Sequence, residues 1–287
     1  MAAWPGWLVE DPAFAGWLRR RAPGLFRRHD RRALRWVAGG LAATLAVGLF
    51  LWFGLPLAAR SVAAWLPEPW LEGLGDQMTM QLIHRWPACY TRDSFDALYS
   101  LEQQIVKGRP VGRPLTVTVL DSPQINALTL PGGRVLMLRG LIDAASTPEE
   151  VAGVLAHEFG HVAHRHAERL LVEVGGGALL LDAFFSGSGS FETAATVGTV
   201  LLVFSYGRDM EREADTYARE ALRASGIGEA DLHRFFVEMS ARTDEPPAFL
   251  STHPSLAERA AATDPDSLPA REILSPKAFR ALKRICD

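Results

Sequence analysis

Residues 36–57 read WVAGGLAATLAVGLFLWFGLPL and contain no charged side chain. A helix rises about 1.5 Å per residue, so about 22 residues cross the roughly 30 Å hydrocarbon core of a bilayer. A buried helix of a soluble domain seldom runs this far without a polar face. The pattern therefore predicts one transmembrane helix. A cleaved signal peptide has a shorter apolar stretch, about 7–15 residues, closing on a small-x-small site. LPLAAR makes a poor site of that kind, and the run reads as an uncleaved signal anchor.

Beyond the span the hydrophobic period changes. In TRDSFDALYSLEQQIVKG, Phe95, Leu98, Leu101 and Ile105 recur at helical spacing, with Asp93 or Ser94 available as a cap and Gly108 as a stop. LTVTVL, INALTL and RVLMLRG are short runs rich in branched residues, and Pro131-Gly132-Gly133 between the last two predicts a hairpin in a small sheet. STPEEVAGVLAHEFGHVAHRHAERLLVEV opens with a capping-box pattern, Thr147 to Glu150, and Pro148 at the first helical position. It reads as one unbroken helix. GGGALLLDAFFSGSGS is interrupted by glycine and Asp182, and residues 193–206 offer 14 uncharged positions, a length that favours a buried or interfacial helix over a second span. GRDMEREADTYAREALRAS is a polar helix ended by Gly226, and STHPSLAERAAA a turn leading into a helix near Ser255. The expected fold is mainly α with a small β-sheet (α+β), preceded by one transmembrane helix. The expected divisions are a tail (1–35), the anchor (36–57), a helical linker region (58–110) and a large C-terminal domain (111–287).

Charge adds an orientation. With 22% charged residues and a net charge of -3, the chain carries no nucleic-acid footprint. Its arginines are unevenly placed: eight lie between Arg19 and Arg35, whereas Arg60 is the only Lys or Arg between the span and Arg85. By the positive-inside rule the N-terminus stays in the cytoplasm and the chain after about residue 58 faces the other side. Trp4, Trp7 and Trp17 fit either a tail resting on lipid headgroups or a disordered tail. Cys89 and Cys286, the only cysteines, could pair in an oxidising compartment or remain two buried thiols. Gly40, Thr44 and Gly48 recur every four residues and could pack a helix partner, which leaves a homo-oligomer open.

The candidate chemistry lies in HEFGHVAHRH, residues 157–166. On a helix His157 and His161 stand one turn apart on one face, so both imidazoles can reach one tetrahedral ion, with Glu158 beside them as a base for a metal-bound water. On a continuous helix His164 lies close to His157 in angle but nearly two turns further along the axis, too far to share that ion. His166 falls on the far side and suits packing or hydrogen bonding. A third ligand is available in RDMEREAD, where Glu211 and Asp215 are at i and i+4. One carboxylate there can bind the metal while the other orients a ligand histidine, and Glu213 points elsewhere. A solvated charged helix explains the same segment equally well.

Four motifs in order, NALTLPGGRVLMLRGLI, HEFGH…RH, RDMEREAD and HPSLAER, resemble metallopeptidase family 48, the group that includes HtpX, the CAAX prenyl protease and BepA-like periplasmic proteases. The resemblance covers roughly residues 115–262, and one anchor before an extramembrane domain is most similar to the BepA-like and mitochondrial inner-membrane branch. It implies a gluzincin-type zincin domain binding one Zn2+ through His157, His161 and Glu211, with Glu158 as the base and Asp215 holding a ligand histidine. It maps the family's HP…R segment onto His253 and Arg259, either of which would stabilise an oxyanion, or His253 would cap the metal in a resting state. The chain departs from the family at Tyr206-Gly207, where a serine is common. The implied activity is a zinc endopeptidase, single-pass in a bacterial inner membrane with a periplasmic protease domain. Its substrate would be a protein or peptide lying along the sheet edge, in quality control of envelope or membrane proteins. The rival reading is a latent zinc protein serving as a chaperone or binding module for unfolded envelope proteins, held shut by His253 or by the glycine-rich segment.

Overall fold

A computed structural model of the protein describes residues 11–21, 31–185, 206–241 and 272–287, with residues 261 and 263. The chain divides into two compact units, Met1–Gly54 and Leu55–Asp287. The first contains α1 (Pro12–Arg21) and α2 (Arg31–Leu49), the latter closing in a π-helical turn, Phe50–Gly54. Its Leu34–Gly54 stretch is long and apolar enough to cross a membrane, and none of it is buried against protein. Trp36, Leu41 and Trp52 within it are all exposed.

The second unit is mostly helical around a four-stranded sheet, as the periodicity predicts. It runs α3 (Leu55–Trp65), α4 (Glu68–Arg85), β1 (Ala88–Cys89), α5 (Arg92–Gly108), β2 (Thr116–Leu120), β3 (Ala127–Leu130), β4 (Arg134–Leu138), α6 (Arg139–Ala144) and α7 (Pro148–Ala163). α8 (His166–Phe185), α9 (Arg208–Ser225), α10 (Ala230–Ala241) and α11 (Pro276–Lys283) follow. The strand order is β1-β2-β4-β3; β2 and β4 are parallel, and the two outer pairings are antiparallel. The expected hairpin joins β3 to β4 through a 3-10 turn in which Gly132 and Gly133 have φ of 71° and 72°, a region that disfavours side chains with a Cβ.

β4 reads as a continuous apolar run because both faces of the sheet are covered. Val119, Ala127, Val135 and Met137 pack into the main core with residues of α5, α7, α9 and α10. Leu120, Leu130, Leu136 and Leu138 turn the other way, onto Met78 and Leu82 of α4. Helices from the 58–110 region thus take part in the core, α5 through Leu98, Leu101 and Ile105. Cys89 on β1 and Cys286 after α11 form a disulfide across 197 residues, which closes the alternative that the residue types left open.

Local signals are displaced in three places. α5 is capped by Thr91, whose hydroxyl accepts from the Ser94 N–H at 3.3 Å while the Ser94 hydroxyl accepts from the Thr91 N–H at 3.1 Å, rather than by Asp93 or Ser94. α8 continues through Gly175 and Asp182 to Phe185, packed against α3, so tertiary contact overrides the weak helix propensity of glycine. Most consequentially, the histidine-rich segment is two helices. α7 ends at Ala163, Arg165 adopts φ 55°, and α8 starts at His166. A left-handed conformation is uncommon for a residue with a side chain. Arg165 is held there by an ion pair to Glu68 and a 3.3 Å hydrogen bond to the Ala63 carbonyl.

Candidate metal centre

α7 is buried from Glu150 to Val162, including His157, Glu158 and His161, which have no solvent exposure. Burying three ionisable side chains on one helix is unfavourable unless partners compensate, so their surroundings carry the meaning. α9 crosses α7 at Gly160, where a Cβ would come to 2.8 Å from both the Cα and the carbonyl oxygen of Ala214. The glycine of HEFGH lets the two backbones approach, and that approach brings RDMEREAD onto the histidines.

His157 Nε2 lies 3.0 Å from His161 Nε2. Glu211 reaches both: its Oε2 is 3.5 Å from His157 Nε2 and its Oε1 is 3.4 Å from His161 Nε2. One donor atom from each of the three falls within 4.8 Å of the other two, a set able to hold a metal ion. Two imidazoles with a carboxylate suit a borderline divalent cation, and such a cation would offset the charge of the buried Glu158 and Glu211 carboxylates. Burial, opposed by Glu211, pushes His161 down to about 4, which keeps its ring in the neutral, ligating form.

A surrounding layer orients these groups. Asp215 Oδ1 accepts from His157 Nδ1 at 2.9 Å, leaving Nε2 of that ring towards Glu211. Thr129 on β3 donates its hydroxyl to Glu158 Oε2 at 2.6 Å. His161 Nδ1 lies 2.8 Å from His166 Nδ1, and His166 Nε2 lies 2.9 Å from Glu213 Oε2. Tyr206 stacks on His161 with ring centroids 4.0 Å apart, and its hydroxyl donates to the Thr129 carbonyl at 3.0 Å. Burial and then the carboxylates of Glu158, Glu168 and Glu211 push the Tyr206 phenol well above its ordinary range.

His157, Glu158, His161, Glu211 and Asp215 thus converge at one place from two helices. His253 and Arg259 lie outside the described residues. Sequence reasoning missed Thr129, Tyr206 and the contacts of His166 and Glu213. His166 turns back onto His161 because the chain breaks at Arg165, and Glu213, expected to point elsewhere, faces it. Arg165, a residue that gives no sign of a helix stop, concealed this.

A model of peptidase family M48 matches residues 100–265, more than half of the chain, and that span contains all five converging residues. Over 169 residues the chain is 29% identical to the putative beta-barrel assembly-enhancing protease of Vibrio cholerae serotype O1, covering 54% of this chain and 35% of that protein. It is 32% identical over 156 residues to metalloprotease LoiP of Escherichia coli K12, covering 52% and 61%. With the mitochondrial metalloendopeptidase OMA1 of Arabidopsis thaliana it shares 29% over 147 residues, covering 50% and 30%. In each case the match spans less than two thirds of the relative. By the extent of the family match, and with the donor set lying inside it, the chain belongs to peptidase family M48.

Proposed function

We propose that this protein is a membrane-anchored zinc endopeptidase in which His157, His161 and Glu211 hold one zinc ion and Glu158 is the general base. The observation that carries the reading is the meeting of two buried imidazoles and a buried carboxylate within 4.8 Å, with a second carboxylate on the residue next to His157. A zinc ion with three protein ligands supplies a Lewis acid that polarises a peptide carbonyl and lowers the pKa of a water towards neutrality. Glu158 takes the proton of the attacking water and delivers it to the departing amine, oriented throughout by the Thr129 hydroxyl. Asp215 keeps His157 in the tautomer whose Nε2 faces the metal position.

Among the described residues β3 is an edge strand and lies beside α7, so an extended substrate could add to it by main-chain hydrogen bonds. The Leu138 N–H bonds the Asn126 carbonyl, and in an antiparallel ladder this turns the N–H and C=O of Ala127 and Thr129 away from β4, where the Ala127 N–H is already taken by the Asn126 side-chain oxygen at 2.9 Å. Such pairing is tolerant of sequence and suits quality control of misfolded envelope proteins; the Vibrio cholerae relative is named a putative beta-barrel assembly-enhancing protease. The arginine asymmetry supports an inner-membrane protein with its N-terminus in the cytoplasm and the protease domain, expected at 111–287 and joined in its core by helices of the 58–110 region, in the periplasm.

One observation favours a latent resting site. Tyr206 covers His161 and already occupies the outward Thr129 carbonyl that a substrate strand would use. In this reading the protein neither pairs with a substrate strand nor cleaves it until Tyr206 leaves. Zinc content and casein cleavage by the detergent-solubilised full chain separate the readings, with Glu158→Gln and Glu211→Gln alongside. Cleavage abolished in Glu158→Gln with zinc retained supports the endopeptidase. Zinc and cleavage surviving Glu211→Gln would sink the ligand set, and a zinc-loaded wild type that cleaves nothing supports latency.

A further inference from the structure

We propose that His166 and Glu213 are positioning residues that hold His161 in its metal-binding tautomer. The inference rests on the zinc reading above and follows from donors and acceptors. A carboxylate only accepts, so the His166 nitrogen facing Glu213 Oε2 at 2.9 Å carries the hydrogen. A neutral imidazole has one N–H, so His166 Nδ1 is an acceptor, and the hydrogen in its 2.8 Å contact with His161 Nδ1 belongs to His161. His161 is left with its lone pair on Nε2, the atom that faces His157 Nε2 and Glu211. The opposite arrangement would put a hydrogen on that nitrogen and bar it from a cation.

The far end of the relay is anchored. Arg169 donates to Glu213 Oε2 at 2.7 Å, and Arg60 lies 3.4 Å from Oε1. His166 has no solvent exposure, so its hydrogen bonds are made within the protein. The two ligand histidines are therefore oriented in different ways, His157 directly by Asp215 and His161 through a second histidine.

His164, His166 and Glu213 also offer three donor atoms within 4.8 Å, as a second cation site would. Two guanidinium groups on Glu213 oppose that, because a cation there would have to displace both. The cluster serves the first site instead.

Zinc affinity of the full chain in detergent, measured by competition with a chromogenic chelator, tests the relay. His166→Leu should weaken zinc binding by about 10–100-fold, and Glu213→Leu, at a partly exposed position, by about 3–10-fold. His166→Gln keeps a donor for Glu213 and an acceptor for His161 and should restore affinity to within about threefold of wild type. One zinc per chain at unchanged affinity in His166→Leu and Glu213→Leu, with melting temperatures showing both folded, overturns the relay alone. If His166→Leu does not fold, unchanged affinity in Glu213→Leu has the same force. Two zinc ions in the wild type and one in His166→Leu would overturn it in favour of a second site. A wild type that binds no zinc would remove the zinc reading itself, and the relay with it.

Discussion

Thr129 Oγ1 donates a 2.6 Å hydrogen bond to Glu158 Oε2, tying the edge strand of the sheet to the carboxylate of the histidine helix. The contact fixes the carboxylate proposed as the base relative to the strand along which substrate is proposed to lie. A hydrogen bond to a charged group contributes about 1.5–3 kcal/mol, so Thr129→Val should lower kcat by about 10–100-fold with zinc content unchanged. Thr129→Ser, which keeps the hydroxyl, should recover most of the loss. Equal activity in the two variants would detach Thr129 from the base.

Gly160 sits where α7 and α9 cross, with no room for a Cβ beside Ala214. Gly160→Ala should push the helices apart, destabilise the protein by about 1–3 kcal/mol and weaken zinc binding, because His157 and His161 lie on one helix and Glu211 on the other. Thermal unfolding and chelator competition should report both effects together. Full zinc affinity in this variant would mean that the helix crossing does not set the metal geometry.

Tyr206 can be tested as a cover over the substrate edge. Tyr206→Phe removes the hydroxyl from the Thr129 carbonyl but keeps the ring against His161. It should lower KM for an extended peptide about 3–10-fold, the value of one hydrogen bond, with kcat little changed. A fall in kcat at constant KM would instead assign the phenol to the reaction.

Burial raises the Glu102 carboxyl from 4.5 to about 7. Between those values the folded state keeps a proton that the unfolded chain has released. The residue's contribution to stability is therefore intact below about pH 4.5 and lost as pH rises through about 7. Glu102→Gln should raise stability at pH 8 relative to pH 5 by about 1–2 kcal/mol, allowing for its partial exposure. Melting temperatures of both proteins at the two pH values measure this, and an equal difference at both would contradict it.

The disulfide between Cys89 and Cys286 closes a long loop and joins β1 to the C-terminal end. Cys286→Ser should destabilise the protein by about 2–5 kcal/mol, and reductant should lower the melting temperature of the wild type but not of the variant. The bridge also reports orientation: in intact cells, thiols found fully reduced would contradict a periplasmic domain.

How far the residues alone reached depended on the range of the interactions. The long apolar run, the hairpin at Pro131-Gly132-Gly133 and the i, i+4 pairing of His157 with His161 are properties of neighbouring residues, legible from period and turn chemistry. Glu211 and Asp215 are legible as an i, i+4 pair, but which of them faces the histidines depends on the helix crossing at Gly160. A single φ value at Arg165 was not legible. Arginine in the left-handed region is stabilised there by Glu68 and Ala63, about a hundred residues away in sequence. That one bend carries His166 from the far side of a continuous helix to His161. Tyr206 gave no local sign either, because its place depends on a strand edge and an imidazole ring that come together only on folding. The chain by itself thus determined which side chains are able to bind a metal and move a proton. Tertiary structure decided how each is held, because tautomer, orientation and cover come from partners distant in sequence, whose approach is set by helix crossing and burial rather than by spacing.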